Sequence, residues 1–212
     1  MKEIEAALFD IDGTLLNTRE FVYQAYKHTF HLHGLPLWLL EEIEPIMATG
    51  MSLEKSYRFF SLSEDVSELC ETHRSYQLEH LYLSVPFPNT VETLKILKNA
   101  RIKTAAVTSR SRRTSINTLE ISGIIGYFDA IISGEDVGNP KPHPEPLLKA
   151  LKQLEVHPEK AVMIGDTEAD IIAGKRGGIK TIGVSYGFCA SIAKCSPDFI
   201  IDDIAFVIPL LL

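Results

Sequence analysis

The sequence predicts an α/β protein: a Rossmann-like parallel sheet core with helices on both faces and a small α-helical domain inserted into it. Three observations carry that prediction. Short apolar runs of strand length recur along the chain. From the second run onward, helix-like segments of ten or more residues separate most of them. About 70 residues between the first run and the second are helical throughout by pattern.

The runs are Ala6–Phe9, Thr104–Val107, Ala130–Ile132, Ala161–Ile164, Thr181–Val184 and Phe199–Ile201. They are continuously apolar and not alternating, as expected of parallel strands buried on both faces. Within the insert, Val66, Leu69, Cys70, His73, Tyr76 and His80 recur at intervals of three and four, as do Leu39, Leu40, Ile43 and Met47. Such a segment is too long for a β-α connection. It predicts a separate bundle reached by two crossings, near Leu15–Thr18 and Val85–Asn89. Pro86 and Pro88 favour extended chain at the return. The expected domains are 1–15 with 86–212, and 16–85. The closing apolar stretch, Phe206 to Leu212, reads as an end segment packing on the core.

Composition narrows the function classes. The chain has 212 residues, 45% hydrophobic and 23% charged, which is ordinary for a globular protein. A net charge of -7 argues against general affinity for nucleic acid or an anionic membrane. Cys70, Cys189 and Cys195 lack metal-ligand spacing and are odd in number, so buried or incidental thiols are expected. The start, Met1-Lys2-Glu3-Ile4-Glu5, does not read as a signal peptide, and no apolar run is long enough to span a membrane. A cytoplasmic protein is expected.

Four strand ends carry chemistry-bearing residues. Phe9-Asp10-Ile11-Asp12-Gly13-Thr14 follows the first strand and places two carboxylates near one point, with Gly13 supplying backbone freedom. Such a pair repels itself unless a cation or a shared proton intervenes; the same residues also suit a turn or a helix cap. Gly165-Asp166-Thr167-Glu168-Ala169-Asp170 puts Asp166 at a strand end and Asp170 one helical turn on, an oxygen set suited to Mg2+. The alternative is that Asp166 and Glu168 serve the helix dipole. Thr108-Ser109 precedes a helix-like segment and offers hydroxyl and N–H donors for phosphate, or simple capping. Lys141 stands between Pro140 and Pro142, a stiff mount for a cation that must meet a phosphate oxygen, or an exposed lysine in a Pro-rich loop.

Taken together, these residues in this order resemble the haloacid dehalogenase-like hydrolase superfamily, whose four motifs match Asp10-Ile11-Asp12-Gly13-Thr14, Thr108, Lys141 and Gly165-Asp166-Thr167 with Asp170. The helical insert looks like that family's type 1 cap, and the chain looks phosphoglycolate phosphatase-like. The resemblance implies that Asp10 attacks phosphorus and becomes an aspartyl phosphate, and that Asp12 protonates the leaving oxygen and then activates water. It implies Mg2+ held by Asp10, the Asp12 main-chain carbonyl and Asp166, with Asp170 orienting the metal shell. Thr108 and Lys141 are implied to hold the transferring group, and crowding by Asp10 is expected to favour the protonated form of Asp12. Gly13, Ser109, Arg110 and, in the cap, Gly50 join the expected phosphate and substrate contacts. The implied partner is a small phosphorylated metabolite.

Receiver domains also gather Asp, Thr or Ser, and Lys around Mg2+. They lack both a long insert and a late Gly-Asp-x-x-x-Asp element. Within the family, the cap loop reads Ala48-Thr49-Gly50-Met51-Ser52-Leu53-Glu54-Lys55. Leu53 stands where hexose-phosphate mutases of this subgroup carry an arginine and phosphonatases a lysine. That favours a phosphatase of the phosphoglycolate phosphatase or inorganic pyrophosphatase kind over a β-phosphoglucomutase-like mutase. Lys55 and Arg58, three apart, either grip a substrate anion or form a solvated helix face.

Overall fold

The six apolar runs form the six strands of one sheet in a computed structural model, which describes residues 4–189 and 191–212. The chain opens with β1 (Ala6–Phe9) and the two-residue β2 (Leu16–Asn17), then four helices: α1 (Arg19–Leu32), α2 (Leu40–Met47), α3 (Leu53–Ser61) and α4 (Ser67–Glu79). It returns through β3 (Val85–Pro86) to α5 (Thr90–Asn99), β4 (Lys103–Val107), α6 (Arg112–Ile121) and β5 (Ala130–Ile132). There follow α7 (Glu145–Leu154), β6 (Ala161–Gly165), α8 (Glu168–Arg176), β7 (Lys180–Val184), β8 (Phe199–Ile201) and α9 (Val207–Leu211).

The strand order is β5-β4-β1-β6-β7-β8, with every pairing parallel. β1 lies between β4 and β6, so the residues after three neighbouring strands emerge side by side. The chain order reverses at β1, and the crevice at such a switch point beyond the strand ends is where open parallel sheets bind ligands.

The pleat sends Ala7 and Phe9 to one face and Ala6 and Leu8 to the other. The first pair packs with Leu94 and Leu97 of α5, Leu119 of α6 and Val207 of α9. The second packs with Leu147, Leu151 and Leu154 of α7. Each fully buried Leu or Phe contributes roughly 1.5–3 kcal/mol of transfer free energy. The C-terminal segment packs as expected: Val207 is buried, with Leu210 and Leu211 against the same cluster.

The insert has its own core of Tyr26, Phe30, Ile43, Tyr57, Phe60, Val66, Leu69 and Cys70. Its two crossings pair antiparallel, Leu16 with Pro86 and Asn17 with Val85, a two-rung ribbon that the apolar pattern does not reveal. One helix face differs from expectation. On α4 the buried stripe is Leu69, Cys70, His73 and Gln77, whereas Tyr76 turns outward and stacks on His80 with ring centroids 3.9 Å apart. From His73, a step of four residues turns about 40° and a step of three about 60° the other way, so packing chooses between Gln77 and Tyr76. On α2 only Ile43 is buried, and Leu39 is exposed.

Candidate active site

Asp10 directly follows β1, and its backbone N–H donates to the Ile164 carbonyl of β6 at 2.9 Å, which fixes it against the neighbouring strand end. Lys141, also buried, sends Nζ to Asp10 Oδ1 at 2.7 Å, to Asp170 Oδ1 at 2.6 Å and to the Val107 carbonyl at 3.0 Å. All three ammonium protons thus have acceptors, and the lysine is no loosely solvated loop residue.

Asp166 is fully buried. Its Oδ1 accepts from Thr14 Oγ1 at 3.1 Å and its Oδ2 from the Phe188 N–H at 2.8 Å. Asp170 Oδ2 accepts from the Thr167 N–H at 3.0 Å and from Thr167 Oγ1 at 2.6 Å, so Asp170 also closes the first turn of α8. Asp170 thus serves the start of α8 and the lysine contact at once.

Asp10, Asp166 and Asp170 each offer a carboxylate oxygen within 4.8 Å of the others, all buried. Asp170, expected only to orient a metal shell, is as close as the other two. Burial drives the Asp10 carboxyl up, and although Lys141 pulls it down, Asp170 and Asp12 push it further, to about 7. Burial, then Asp10 and Asp170, raise Asp166 well above the usual carboxylate range. Burial alone would lower the Lys141 ammonium, but Asp10 and Asp170 more than offset that and hold it above its ordinary value. One lysine among three buried carboxylates leaves excess negative charge, and an all-oxygen donor set of this kind fits a hard divalent cation.

Arg110 and Asp12 depart from expectation. Arg110 donates from Nε to Asp12 Oδ2 at 2.6 Å and from Nη2 to Asp12 Oδ1 at 2.5 Å, a bidentate pair, while Nη1 donates to Thr118 Oγ1 at 2.7 Å. Phe21 of α1 stacks under its guanidinium, 4.8 Å from the ring centroid. Three of its N–H donors are therefore committed within the protein, and Arg110 acts on Asp12 more directly than on a ligand. Burial pushes the Asp12 carboxyl up, but the Arg110 charge and hydrogen bonds outweigh it and hold Asp12 below the usual range. Crowding by Asp10 does not set the protonation of Asp12 in this arrangement; Arg110 does.

Asp10, Asp12, Thr108, Ser109, Arg110 and Lys141 all line one cavity of about 160 Å3, and Gly50, Leu53 and Glu54 line it from the insert. Gly50 has φ +68°, and a Cβ there would lie 2.7 Å from Thr167 Oγ1 and 2.8 Å from the Ala169 Cβ; the insert loop presses on the start of α8. Gly13, at φ +75°, sits beside the cavity, where a Cβ would lie 2.2 Å from Asp166 Oδ2. Its role is close backbone approach to Asp166, with no place in the cavity wall. The N-terminus of α6 is partly occupied: Ser111 Oγ accepts from the Thr114 N–H and Glu135 from the Arg112 N–H. Lys55 and Arg58 are exposed, and Arg58 donates to the Glu64 carbonyl, so neither reaches the cavity.

The cavity residues of the insert that the sequence pattern did not single out include Glu54 as an ion-pair partner, His73, Arg74 and Gln77. His73 was visible only as one position of an apolar-type stripe. The Phe188 N–H on Asp166 had no signal in the chain, because any residue supplies a backbone donor.

An open parallel sheet with a buried acidic cluster and one fixed lysine beyond its central strand ends defines a hydrolase core of the haloacid dehalogenase type. The chain belongs to that family: the haloacid dehalogenase-like hydrolase family model matches residues 7–184. It is 35% identical over 212 residues to the pyrophosphatase PpaX of Bacillus thuringiensis (strain Al Hakam), covering 99% of this chain and 97% of the relative. The predicted phosphoglycolate phosphatase from Haemophilus somnus 129PT superposes with TM-score 0.90 at 24% identity, over 100% of both chains. The haloacid dehalogenase-like family protein SP0104 from Streptococcus pneumoniae gives TM-score 0.87 at 28% identity, again over 100% of both. The protein is an enzyme, a phosphoric ester hydrolase with phosphatase relatives. No helix among the described residues is long and apolar enough to cross a membrane.

Proposed function

We propose that the chain is a Mg2+-dependent phosphatase that hydrolyses a small-molecule phosphomonoester through an aspartyl phosphate on Asp10, with residues 16–85 acting as a cap over the site. The observation that carries this reading is the placement of Lys141 Nζ, 2.7 Å from Asp10 Oδ1 and 2.6 Å from Asp170, among three clustered carboxylates. One Asp10 oxygen is thereby steadied and the other remains to attack.

Phosphoryl transfer needs little covalent chemistry from the protein beyond positioning and charge stabilisation. In the first half, an Asp10 oxygen bonds to phosphorus as the ester P–O bond breaks, and Asp12 gives its proton to the departing oxygen. In the second, the Asp12 carboxylate takes a proton from water, whose oxygen displaces Asp10 and frees inorganic phosphate. Splitting the reaction this way replaces one hard step by two easier ones. Thr108 and Lys141 hold the transferring group. Arg110 positions Asp12 and keeps it ionised for the second half; the first half requires Asp12 to take up a proton against that pull. Asp10, the Asp12 main-chain carbonyl and Asp166 would hold Mg2+, with Asp170 beside them, and the ion supplies the positive charge that Lys141 alone does not. Three free cysteines and no disulfide among the described residues fit a cytoplasmic setting.

A second reading, inorganic pyrophosphatase, is favoured by the 35% identity to PpaX over nearly the whole of both chains. A mutase is disfavoured because an apolar residue, Leu53, lines the cavity where a second cation would be needed. Phosphate release from a panel of phosphomonoesters, sugar phosphates and pyrophosphate with Mg2+, run beside Asp10→Asn, tests the reading. The variant should lose at least about 10^4-fold in rate. Hydrolysis surviving it would sink the aspartyl-phosphate mechanism.

A further inference from the structure

The reaction at Asp10 leaves the far wall of the cavity unexplained. That wall comes from the insert: Glu54 in the first turn of α3, and His73, Arg74 and Gln77 on α4. Arg74 Nη2 meets Glu54 Oε1 at 2.5 Å, so the two charged groups cancel. Gln77 is only 7% exposed and lines the cavity, yet its side-chain amide has no hydrogen-bond partner among the described residues. An amide that faces the cavity with no such partner keeps its N–H donors and its carbonyl available to a ligand there. His73 shares its Nδ1 with the Tyr57 hydroxyl at 2.8 Å, while Nε2 has no partner among the described residues. Burial first, then the Arg110 and Arg74 charges, push this ring down to about 3, so it is neutral.

The wall is thus polar, uncharged in sum, and offers both donors and acceptors. A second phosphoryl group or a carboxylate that met Arg74 would sit beside the Glu54 carboxylate, which repels it. Hydroxyl groups meet no such penalty. They can accept from or donate to the Gln77 amide, match His73 Nε2 in either tautomer and donate to Glu54. Val22, Met47, Met51 and Leu53 supply apolar surface for a carbon skeleton. A cavity of about 160 Å3 is close to the size that takes up one benzene molecule, which favours a short carbon chain beside a phosphoryl group.

We propose that Glu54, His73, Arg74 and Gln77 form the leaving-group subsite, and that the substrate is the monophosphate of a small, uncharged, hydroxylated carbon chain and not a diphosphate. This rests on the phosphatase reading above and names its substrate class.

The test is steady-state phosphate release with Mg2+ from glycerol phosphate, erythrose 4-phosphate, pyrophosphate and acetyl phosphate, the last having no hydroxyl on its leaving group. Wild type should favour the two hydroxylated esters over pyrophosphate by at least about tenfold in kcat/KM. Gln77→Leu should lower kcat/KM for glycerol phosphate about tenfold more than for acetyl phosphate, the effect of one lost buried hydrogen bond. Glu54→Gln, which leaves the wall with a net positive charge, should shift the ratio toward pyrophosphate, and decides the matter if Gln77→Leu fails to fold. Pyrophosphate as the better wild-type substrate, or Gln77→Leu and Glu54→Gln scaling all four substrates equally, would overturn the subsite while leaving Asp10-dependent hydrolysis intact. Hydrolysis that persists in Asp10→Asn would instead remove the phosphatase mechanism on which the subsite depends.

Discussion

The two walls of the cavity handle charge in opposite ways. On the sheet side, three buried carboxylates crowd one lysine, and burial, with the charges of Asp170 and Asp12 added to it, raises Asp10 to about 7. On the insert side, Glu54 and Arg74 cancel, and Gln77 and His73 each keep a polar atom without a partner among the described residues. The sheet side stores an electrostatic demand that a cation relieves. The insert side stores a hydrogen-bonding demand that a neutral polar group relieves. Under the proposal above, the difference separates chemistry from selection: one wall carries the phosphoryl chemistry, while the other reads a particular leaving group.

Removing Lys141 breaks the comparison most severely. Lys141→Met should cost about 3 kcal/mol of stability at pH 8, because it strands Asp10 and Asp170 without their cation, and less at pH 5, where Asp10 takes a proton. Phosphate release should fall at least about 10^2-fold. Urea unfolding at the two pH values and initial rates check this, and equal stability loss at both would contradict the charge account.

Metal removal sharpens it. The Asp10 carboxyl is raised from its usual 3.8 to about 7 without metal, so the folded protein keeps a proton that the unfolded chain gives up. Its stability contribution is full below about pH 4 and is lost as the pH rises through about 7. The metal-free protein should therefore melt at lower temperature at pH 8 than at pH 5. Mg2+ should restore stability mainly at pH 8, by about 2.7 kcal/mol at a hundredfold excess over Kd. Chelation should abolish turnover. A Mg2+ shift in Tm as large at pH 5 as at pH 8 would separate metal binding from these carboxylates.

The smallest effect is expected where the two walls meet. Arg110 holds Asp12 on the sheet side and lies over Phe21 of the insert. Arg110→Met frees the Asp12 carboxyl to rise, and the pH dependence of kcat/KM should move to higher pH by roughly 1–3 units. Should the variant bind substrate more weakly with an unchanged pH profile, Arg110 contacts the ligand instead of Asp12.

The legible parts of this protein were those with short-range causes. Buried parallel strands must be continuously apolar, so all six were visible, with ends within a residue of those observed. Asp10, Lys141 and Asp166 were visible because each stands at the end of such a run or on a proline-stiffened loop. The β2–β3 ribbon was not visible, because a two-residue strand carries no period. Nor was the Arg110–Asp12 pair, whose members lie 98 residues apart and whose geometry depends on β1 and β4 being neighbours.

The sequence by itself determined the strands, the existence of a long helical insert, and the carboxylates, hydroxyl and lysine available for phosphoryl chemistry. These follow from local periodicity and from residue types at strand ends. Only the tertiary structure decided the protonation bias of Asp12, the equal standing of Asp170 in the acidic cluster, and the choice of Gln77 over Tyr76 for the cavity. Each of those depends on distances between groups remote in the chain. Coulomb energies and hydrogen bonds turn on such distances within an ångström or two, and a linear pattern does not encode them.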